Sequence, residues 1–132
     1  MSDKLRNLLR LLSTALSRLD LALAQPVNEF VRDSSIQRFE FTFELFWKSL
    51  KAYAEESGLE AFSPRDSIRI AFQLGVIQES PEWFRMLEDR NLTSHTYNER
   101  TAREISAAIL ADFVPQYRTF LIKFKELEIQ SP

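Results

Sequence analysis

Polar and titratable side chains are concentrated in the ten residues 88–97 of this chain. They include Arg90 and the single histidine, His95. A guanidinium binds phosphate oxygens through its planar fork, and an imidazole with an unperturbed pKa of about 6.5 is suited to proton transfer. In a metal-independent cleavage of RNA, His95 would take the proton of a ribose 2′-hydroxyl, and Arg90 would stabilise charge on the attacked phosphate. The pair is therefore a candidate catalytic pair.

The spacing of these two residues leaves a structural interpretation open. On an ideal helix, side chains five positions apart diverge by about 140°. Arg90 and His95 converge only if the helix ends or bends between them, or if two subunits bring their motifs together. A lone histidine at a helix C-terminus commonly compensates the helix dipole, and Asp89-Arg90 could form an ordinary ion pair with a neighbouring helix. On spacing alone, the structural interpretation is favoured.

Composition excludes several other kinds of site. With one histidine and no cysteine, the usual zinc sites cannot be assembled within one chain, so we predict no metal. Ser94 adjoins His95 but lacks the flanking glycines of a hydrolase nucleophile elbow. No glycine-rich phosphate loop is present, and we predict no cofactor. A net charge of −2 means that any contact with nucleic acid must be local.

Length and composition predict one all-helical domain spanning residues 1–132. The chain has 45% hydrophobic residues and only two glycines, which favours long helices over a turn-rich β protein. The absence of cysteine fits a reducing compartment. A polar N-terminus followed by an amphipathic pattern shows no signal-peptide core and no membrane span, so we expect a cytoplasmic protein.

Apolar periodicity predicts an up-and-down bundle of four or five helices. The first helix extends from about Lys4 to Ala24. The second starts within the polar stretch before Ile36, where Asn28 or a residue at 33–35 could cap it, and ends near Gly58.

Serine-proline pairs predict the starts of the next two helices. The third runs from about Pro64 to Leu74, before Gly75, and the fourth from Pro81 into the Arg90 region. The last covers about 99–128 and contains Pro115, which predicts a kink near Ala111 or two shorter helices.

The second helix presents two apolar faces. Projection at 100° per residue gives a core arc of roughly 120°, formed by Ile36, Phe39, Phe43, Phe46, Trp47, Leu50, Tyr53 and Ala54. Phe41, Leu45 and Ala52 form a narrower ridge on the opposite side, between Thr42 and Ser49 on one edge and a charged stripe on the other. The stripe contains Glu40, Glu44, Lys48 and Lys51. Because exposed apolar ridges mark interfaces, we predict that Phe41 and Leu45 contact a second copy of the chain.

Two long segments and one short one carry a family resemblance. Residues 37–51, residues 86–97 and the sequence Ser63-Pro64-Arg65 resemble the nucleotidyltransferase substrate-binding proteins, a branch of the HEPN superfamily that includes the HepT-like toxins. The likeness covers most of the chain. Arginine, a following polar residue and a nearby histidine form the HEPN signature, and Tyr97 completes the longer HepT-like form.

The resemblance implies a HEPN-like homodimer whose motifs face a shared cleft for RNA or a nucleotide. It implies that Arg90 and His95 are catalytic, and we assign the polar residues Asn91 and Ser94 of the same motif to substrate binding. A small MNT-type nucleotidyltransferase encoded alongside would supply the metal-binding carboxylates and the nucleoside triphosphate chemistry. In HepT-like systems that partner silences a ribonuclease toxin by attaching AMP to the tyrosine corresponding to Tyr97.

Two other functions remain open at this point. An older interpretation of the family is a non-catalytic subunit that presents a substrate to the transferase, and such a subunit would tolerate loss of His95. A purely structural scaffold would need only the apolar ridge and would be indifferent to changes at Arg90.

Overall fold

The computed structural model describes residues 1–95 and 98–130, with His95 described by its backbone alone. This part of the chain is helical and contains no strand, which confirms the all-α prediction. None of its helices is both long enough and apolar enough to cross a bilayer. The elements are α1 (Asp3–Leu23), α2 (Glu29–Glu56), α3 (Pro64–Gln73), α4 (Pro81–Leu92), a 3₁₀ turn (Thr93–His95), α5 (Glu99–Ala108), a π-helical segment (Ile109–Phe113) and α6 (Val114–Gln130).

The start of α2 settles the cap that the sequence left open. The side-chain oxygen of Asn28 accepts a hydrogen bond from the backbone N–H of Val31 at 2.8 Å. Glu29 follows in the first turn, where its charge complements the helix dipole. The helix therefore begins seven residues before Ile36 and is the longest in the described chain.

The serine-proline starts and the glycine ends are confirmed. Ser63 accepts from the N–H of Asp66 at 3.1 Å, and Ser80 accepts from that of Glu82 at 3.3 Å. Gly58 and Gly75 follow α2 and α3 with φ of 84° and 70°. A side chain is strained at such a φ, so glycine ends these helices at the least cost.

Pro115 accounts for the π-helical segment. Proline cannot donate a backbone hydrogen bond, and in regular α geometry its ring would clash with the carbonyl of the residue four positions earlier, Ala111. Residues 109–113 are wound as a π-helix, which widens the turn around Ala111. The irregularity lies where the proline predicts it, and the chain continues from α5 into α6.

Aromatic packing around Phe46 joins α2 to α4 and α6. Its ring stacks on Trp83 with centroids 5.1 Å apart and an interplanar angle of 12°. The rings of Tyr117 and Phe120 meet it edge-on at 5.4 and 5.1 Å. All four side chains are almost fully buried, so this cluster fixes how three helices sit against one another.

The face of α2 that packs on α1 corrects part of the sequence prediction. Ser35, Thr42 and Ser49 are buried at intervals of seven residues, and each hydroxyl donates to the carbonyl four positions earlier at 2.7–2.8 Å. Ala52 is also buried, so its assignment to an exposed ridge is wrong. Small side chains at these positions suit close packing of α1 on α2. On the predicted ridge Phe41 alone stays exposed, at 62%, and Leu45 is half-buried.

Tyr117 provides a test of this core. Within the described residues its buried hydroxyl has no hydrogen-bond partner, and burial raises the pKa of the phenol well above its ordinary value. An unsatisfied buried hydroxyl costs about 1–3 kcal/mol. We expect Tyr117→Phe to raise the free energy of unfolding by about 1 kcal/mol in urea denaturation. A clear loss of stability would mean that the hydroxyl is satisfied in solution.

Candidate functional site

The site is built where α4 lies antiparallel on α2. Phe46 of α2 contacts Trp83 of α4, and six residues earlier on α2 Glu40 lies 3.6 Å from a guanidinium nitrogen of Arg90. Arg90 is seven residues beyond Trp83. Six residues of α2 and seven residues of α4 span about 9 and 10 Å of helix, so one register of the two helices allows both the Phe46–Trp83 and the Glu40–Arg90 contact.

Thr93 fixes the arginine from the other side. The Arg90 guanidinium donates to the Thr93 hydroxyl oxygen at 3.1 Å, and that hydroxyl donates to the backbone carbonyl of Arg90 at 2.6 Å. Thr93 is only 6% exposed, whereas 31% of the Arg90 side chain is exposed. The arginine is thus held between two elements with part of its fork open to solvent.

The helix ends between the two residues predicted to be catalytic. The α4 helix stops at Leu92, and Thr93–His95 forms a 3₁₀ turn, so the ideal-helix divergence of Arg90 and His95 does not apply. The side chain of His95 and the whole of Tyr97 lie outside the described residues. Whether Arg90 and His95 converge therefore stays a prediction.

Asn91 and Ser94 lie on the exposed side of this turn. Both are exposed, and the Ser94 hydroxyl donates to the Asn91 carbonyl at 3.1 Å. The amide group of Asn91 makes no hydrogen bond within the described residues. The assignment of both residues to substrate binding stays a prediction. The Asn91 amide is better placed to bind a ligand than the Ser94 hydroxyl, which already donates to the backbone.

Two carboxylates, those of Glu40 and Glu44, lie near Arg90 and offset part of its positive charge. Partial burial acts to raise the pKa of Glu44, but hydrogen bonds from Trp47 and Lys48 and the charges of Lys48 and Arg90 outweigh it and lower that pKa. The indole N–H of Trp47 donates to Glu44 at 3.0 Å. Trp47 is half-buried, whereas the sequence predicted a core residue. Glu40 and Glu44 are engaged groups rather than a simple solvated stripe.

Asp89 does not form the interhelical ion pair considered from the sequence. It has no ion pair within the described part of the chain, and the pair with a neighbouring helix is made by Arg90 instead. Partial burial raises the pKa of Asp89, and the charges of Glu88 and Glu104 add to this against the opposing effect of Arg85. Across residues 1–94 and 98–130, no three carboxylates or histidines are grouped as metal ligands.

Two positioning residues, Glu40 and Thr93, were missed from the sequence. Glu40 was assigned to a charged stripe, and Thr93 was counted in the polar cluster without a role. A signal existed for Arg90, because a residue seven positions beyond the buried Trp83 lies on nearly the same face of α4 and must meet α2. Nothing local indicated which residue of α2 it would meet.

Comparison with known proteins identifies relatives over most of the chain. The family model described as nucleotidyltransferase substrate binding protein like matches residues 5–126. A protein of Haemophilus influenzae named probable ribonuclease HepT is 31% identical over 88 residues. That match covers 63% of this chain and 60% of the relative, so it spans less than two thirds of the relative's length.

Two solved structures share the fold. A protein of Thermus thermophilus is 40% identical, with a TM-score of 0.71 over 85% of this chain and 93% of its own. A Haemophilus influenzae structure, described as revealing the fold of a substrate binding domain of a nucleotidyltransferase, is 26% identical. Its TM-score is 0.79 over 89% of this chain and 98% of its own.

The Thr93 hydroxyl tests how the end of α4 is held. Thr93→Val keeps the shape but removes the group that bonds both the guanidinium and the carbonyl of Arg90. We expect the free energy of unfolding to fall by about 1–2 kcal/mol in urea denaturation. Ser94→Ala is the matched control, because it removes an exposed hydroxyl with a similar backbone bond and should change stability by less than about 0.5 kcal/mol. Equal effects would contradict the positioning role of Thr93.

Proposed function

The chain belongs to the nucleotidyltransferase substrate binding protein like family, and on that premise we propose that it is the HEPN-type partner of a small MNT-type nucleotidyltransferase. In this proposal the two proteins form a toxin-antitoxin-like system. Residues 1–132 act as one HEPN-like domain with a metal-independent ribonuclease cleft. The observation that carries the proposal is the arginine held at a helix end with part of its fork exposed.

Arg90 is suited to exchange its partner for a phosphate. Its contact with Glu40 is 3.6 Å long and both side chains are about one third exposed, so the ion pair contributes only about 0–1 kcal/mol. A phosphate offers bidentate, charge-assisted hydrogen bonds to the same fork. Because Glu40 and Glu44 offset the local positive charge, a phosphate would bind by replacing Glu40 rather than by joining a cationic patch. Thr93 keeps its bond during this exchange.

The cleavage step needs one base and one anion-stabilising group. His95 takes the proton from the 2′-hydroxyl, the 2′-oxygen forms a bond to phosphorus, and the bond to the 5′-oxygen breaks. Arg90 stabilises the negative charge on the phosphate oxygens, and the leaving oxygen takes a proton from water. The products are a 2′,3′-cyclic phosphate and a 5′-hydroxyl end. Asn91 and Ser94 bind the nucleotide beside this phosphate.

A homodimer would complete the cleft. On α2 the apolar Phe41 and Leu45 each follow one of the two carboxylates near Arg90, about 100° further round the helix. Phe41 is 62% exposed, which is costly for a phenylalanine that has no partner. Contact between two such faces would bring two copies of the Arg90 site to neighbouring edges of one interface. A strictly monomeric mass in sedimentation equilibrium would contradict this arrangement.

A second candidate, a non-catalytic substrate-binding subunit, is favoured by specific observations. The family description and the second structural neighbour both refer to substrate binding, and the carboxylates beside Arg90 weaken its attraction for a polyanion. In this function Arg90 and Asn91 hold the phosphate of a nucleotide for the transferase. His95 would then be dispensable, which separates the two candidates.

Cleavage of total RNA tests the proposed ribonuclease. The purified native chain, in a chelator, should produce fragments with 2′,3′-cyclic phosphate ends. His95→Ala removes the base and Arg90→Ala the anion-stabilising group, and each loss should lower the rate by about 10²-fold or more. Arg100→Ala is the matched control and should leave the rate unchanged, because Arg100 is exposed and, among the described residues, forms its ion pair with Glu104 of the same helix.

The pattern among the variants decides between the candidates. Cleavage that survives both His95→Ala and Arg90→Ala would come from a contaminant and would contradict the mechanism. Absence of cleavage by the native chain, together with nucleotide binding that depends on Arg90 but not on His95, would establish the substrate-binding subunit instead.

Modification of Tyr97 tests the proposed partnership. The transferase encoded beside this chain, supplied with ATP, should join the tyrosine oxygen to AMP and release pyrophosphate. The added phosphate would place negative charge near Arg90 and should abolish RNA cleavage. Intact-mass and peptide mass spectrometry would detect one AMP per chain on Tyr97 and none on Tyr97→Phe. An unmodified native chain would contradict the silencing mechanism.

A further inference from the structure

An apolar groove runs between α1 and α2 on the far side of α2 from the Arg90 site. It consists of two cavities of about 370 and about 190 Å³ that share Arg38 as a wall. Arg38 and Glu40 are two residues apart and therefore point about 160° away from each other on α2. Leu21 and Phe30 border the larger cavity and are 59% and 81% exposed, while Phe41 borders the smaller one.

The groove is positively charged as well as apolar. No carboxylate lines either cavity, whereas Arg18 lines one of them and Arg38 lines both. The Arg38 guanidinium donates to the Arg18 carbonyl at 2.6 Å, which fixes it across the groove. Most arginines in the described part of the chain pair with a carboxylate, but these two do not. The groove therefore lacks the acidic partner that most of the chain's other arginines find within the fold.

The distance between the cavities matches two turns of a helix. Ala15 lines the smaller cavity and Ala22 the larger one, seven residues further along α1. This offset corresponds to about 10 Å of helix, which is the separation of apolar anchors at i and i+7 on a bound helix. Small alanine side chains on the groove floor leave room for those anchors.

We propose that the α1/α2 groove binds an acidic amphipathic helix of a protein partner. Two apolar side chains of that helix, seven residues apart, fill the two cavities, and its carboxylates pair with Arg18 and Arg38. The inference rests on the proposed function for the owner of the helix, which is the partner nucleotidyltransferase. The docking chemistry itself depends only on the groove.

Two other occupants fit less well. A second copy centred on the groove would bring Arg18 and Arg38 of one copy against the same arginines of the other, and like charges disfavour that arrangement. The homodimer face proposed above touches the groove only through Phe41, since Leu45 lines neither cavity. RNA would use the two cations, but binding through phosphates needs several such contacts, and Arg18 and Arg38 supply only two. An acidic helix satisfies both the charge and the apolar surface.

A labelled peptide tests the groove by itself. The probe is an 18-residue fluorescein-labelled helix with leucines at i and i+7 and glutamates beside them, and the matched peptide has lysine in place of glutamate. Fluorescence anisotropy with the full chain should show at least tenfold tighter binding of the acidic peptide. Leu21→Ser with Phe30→Ser, and separately Arg18→Glu, should each weaken it at least tenfold. Ile122→Ser is the control, because this isoleucine on α6 is 61% exposed, close to the 59% of Leu21.

The outcomes of the peptide experiment are decisive for the groove. Equal binding of the two peptides, or binding unaffected by the groove variants, would overturn the proposal. So would displacement of the acidic peptide by a short single-stranded RNA at lower concentration than by unlabelled peptide. Circular dichroism should show the native helix content for each variant, because the changed positions are exposed.

The intact complex separates this inference from the proposed function. With the transferase encoded alongside, the Leu21→Ser, Phe30→Ser variant should fail to co-elute in size-exclusion chromatography. The Ile122→Ser variant, which changes an exposed position that lines neither cavity, should still retain the partner. A complex indifferent to the groove variant would overturn the docking site but leave the partnership intact. No complex with the native chain would contradict the proposed partnership, while the peptide experiment would still decide the groove.

Discussion

The stacking of Phe46 on Trp83 is the constraint on which the site depends. These rings lie 5.1 Å apart in the core and set how far α4 is displaced along α2. Because helices are rigid over two turns, the same register places Arg90 opposite Glu40 at the bundle surface, about 10 Å away. Tyr117 and Phe120 of α6 contact the Phe46 ring edge-on, so the π-helical turn that precedes α6 also affects the register between α2 and α4. The geometry at Arg90 is thus a consequence of aromatic packing, and the polar contacts only refine it.

The contacts of Arg90 differ in strength, and that difference suits a binding group. Its bond to Thr93 is local and its acceptor is buried, whereas its contact with Glu40 is long and open to solvent. The first contact keeps the guanidinium near the end of α4, and the second can be exchanged for a ligand at small cost. An arginine held only by strong buried pairs would be rigid but unavailable. An arginine without partners would lose conformational entropy on binding, which the Thr93 bond has already removed.

Features that depend on a few neighbouring residues were predictable from the sequence. The caps at Ser63 and Ser80, the left-handed glycines and the irregular turn before Pro115 follow from backbone chemistry within four residues, and the structure has them where expected. The burial of Thr42, Ser49 and Ala52 was not predictable, because a helical projection cannot show how many helices surround α2. The Glu40–Arg90 contact could not be predicted either, for a related reason. It joins residues fifty positions apart, and its register is set by ring packing that no local pattern records.

The central helix has a surface on each side, and its rigidity connects them. The hydroxyls of Ser35, Thr42 and Ser49 bond to the helix's own backbone, so α1 packs closely without leaving polar groups unsatisfied. Arg38 then reaches across to the α1 backbone, while Glu40, two residues later, faces α4. A helix bound in the α1/α2 groove would contact Arg38 without touching Arg90. Since α2 is one continuous helix, such a partner would affect the cleft by shifting α2 as a whole or by covering its edge, rather than through a chain of side-chain contacts.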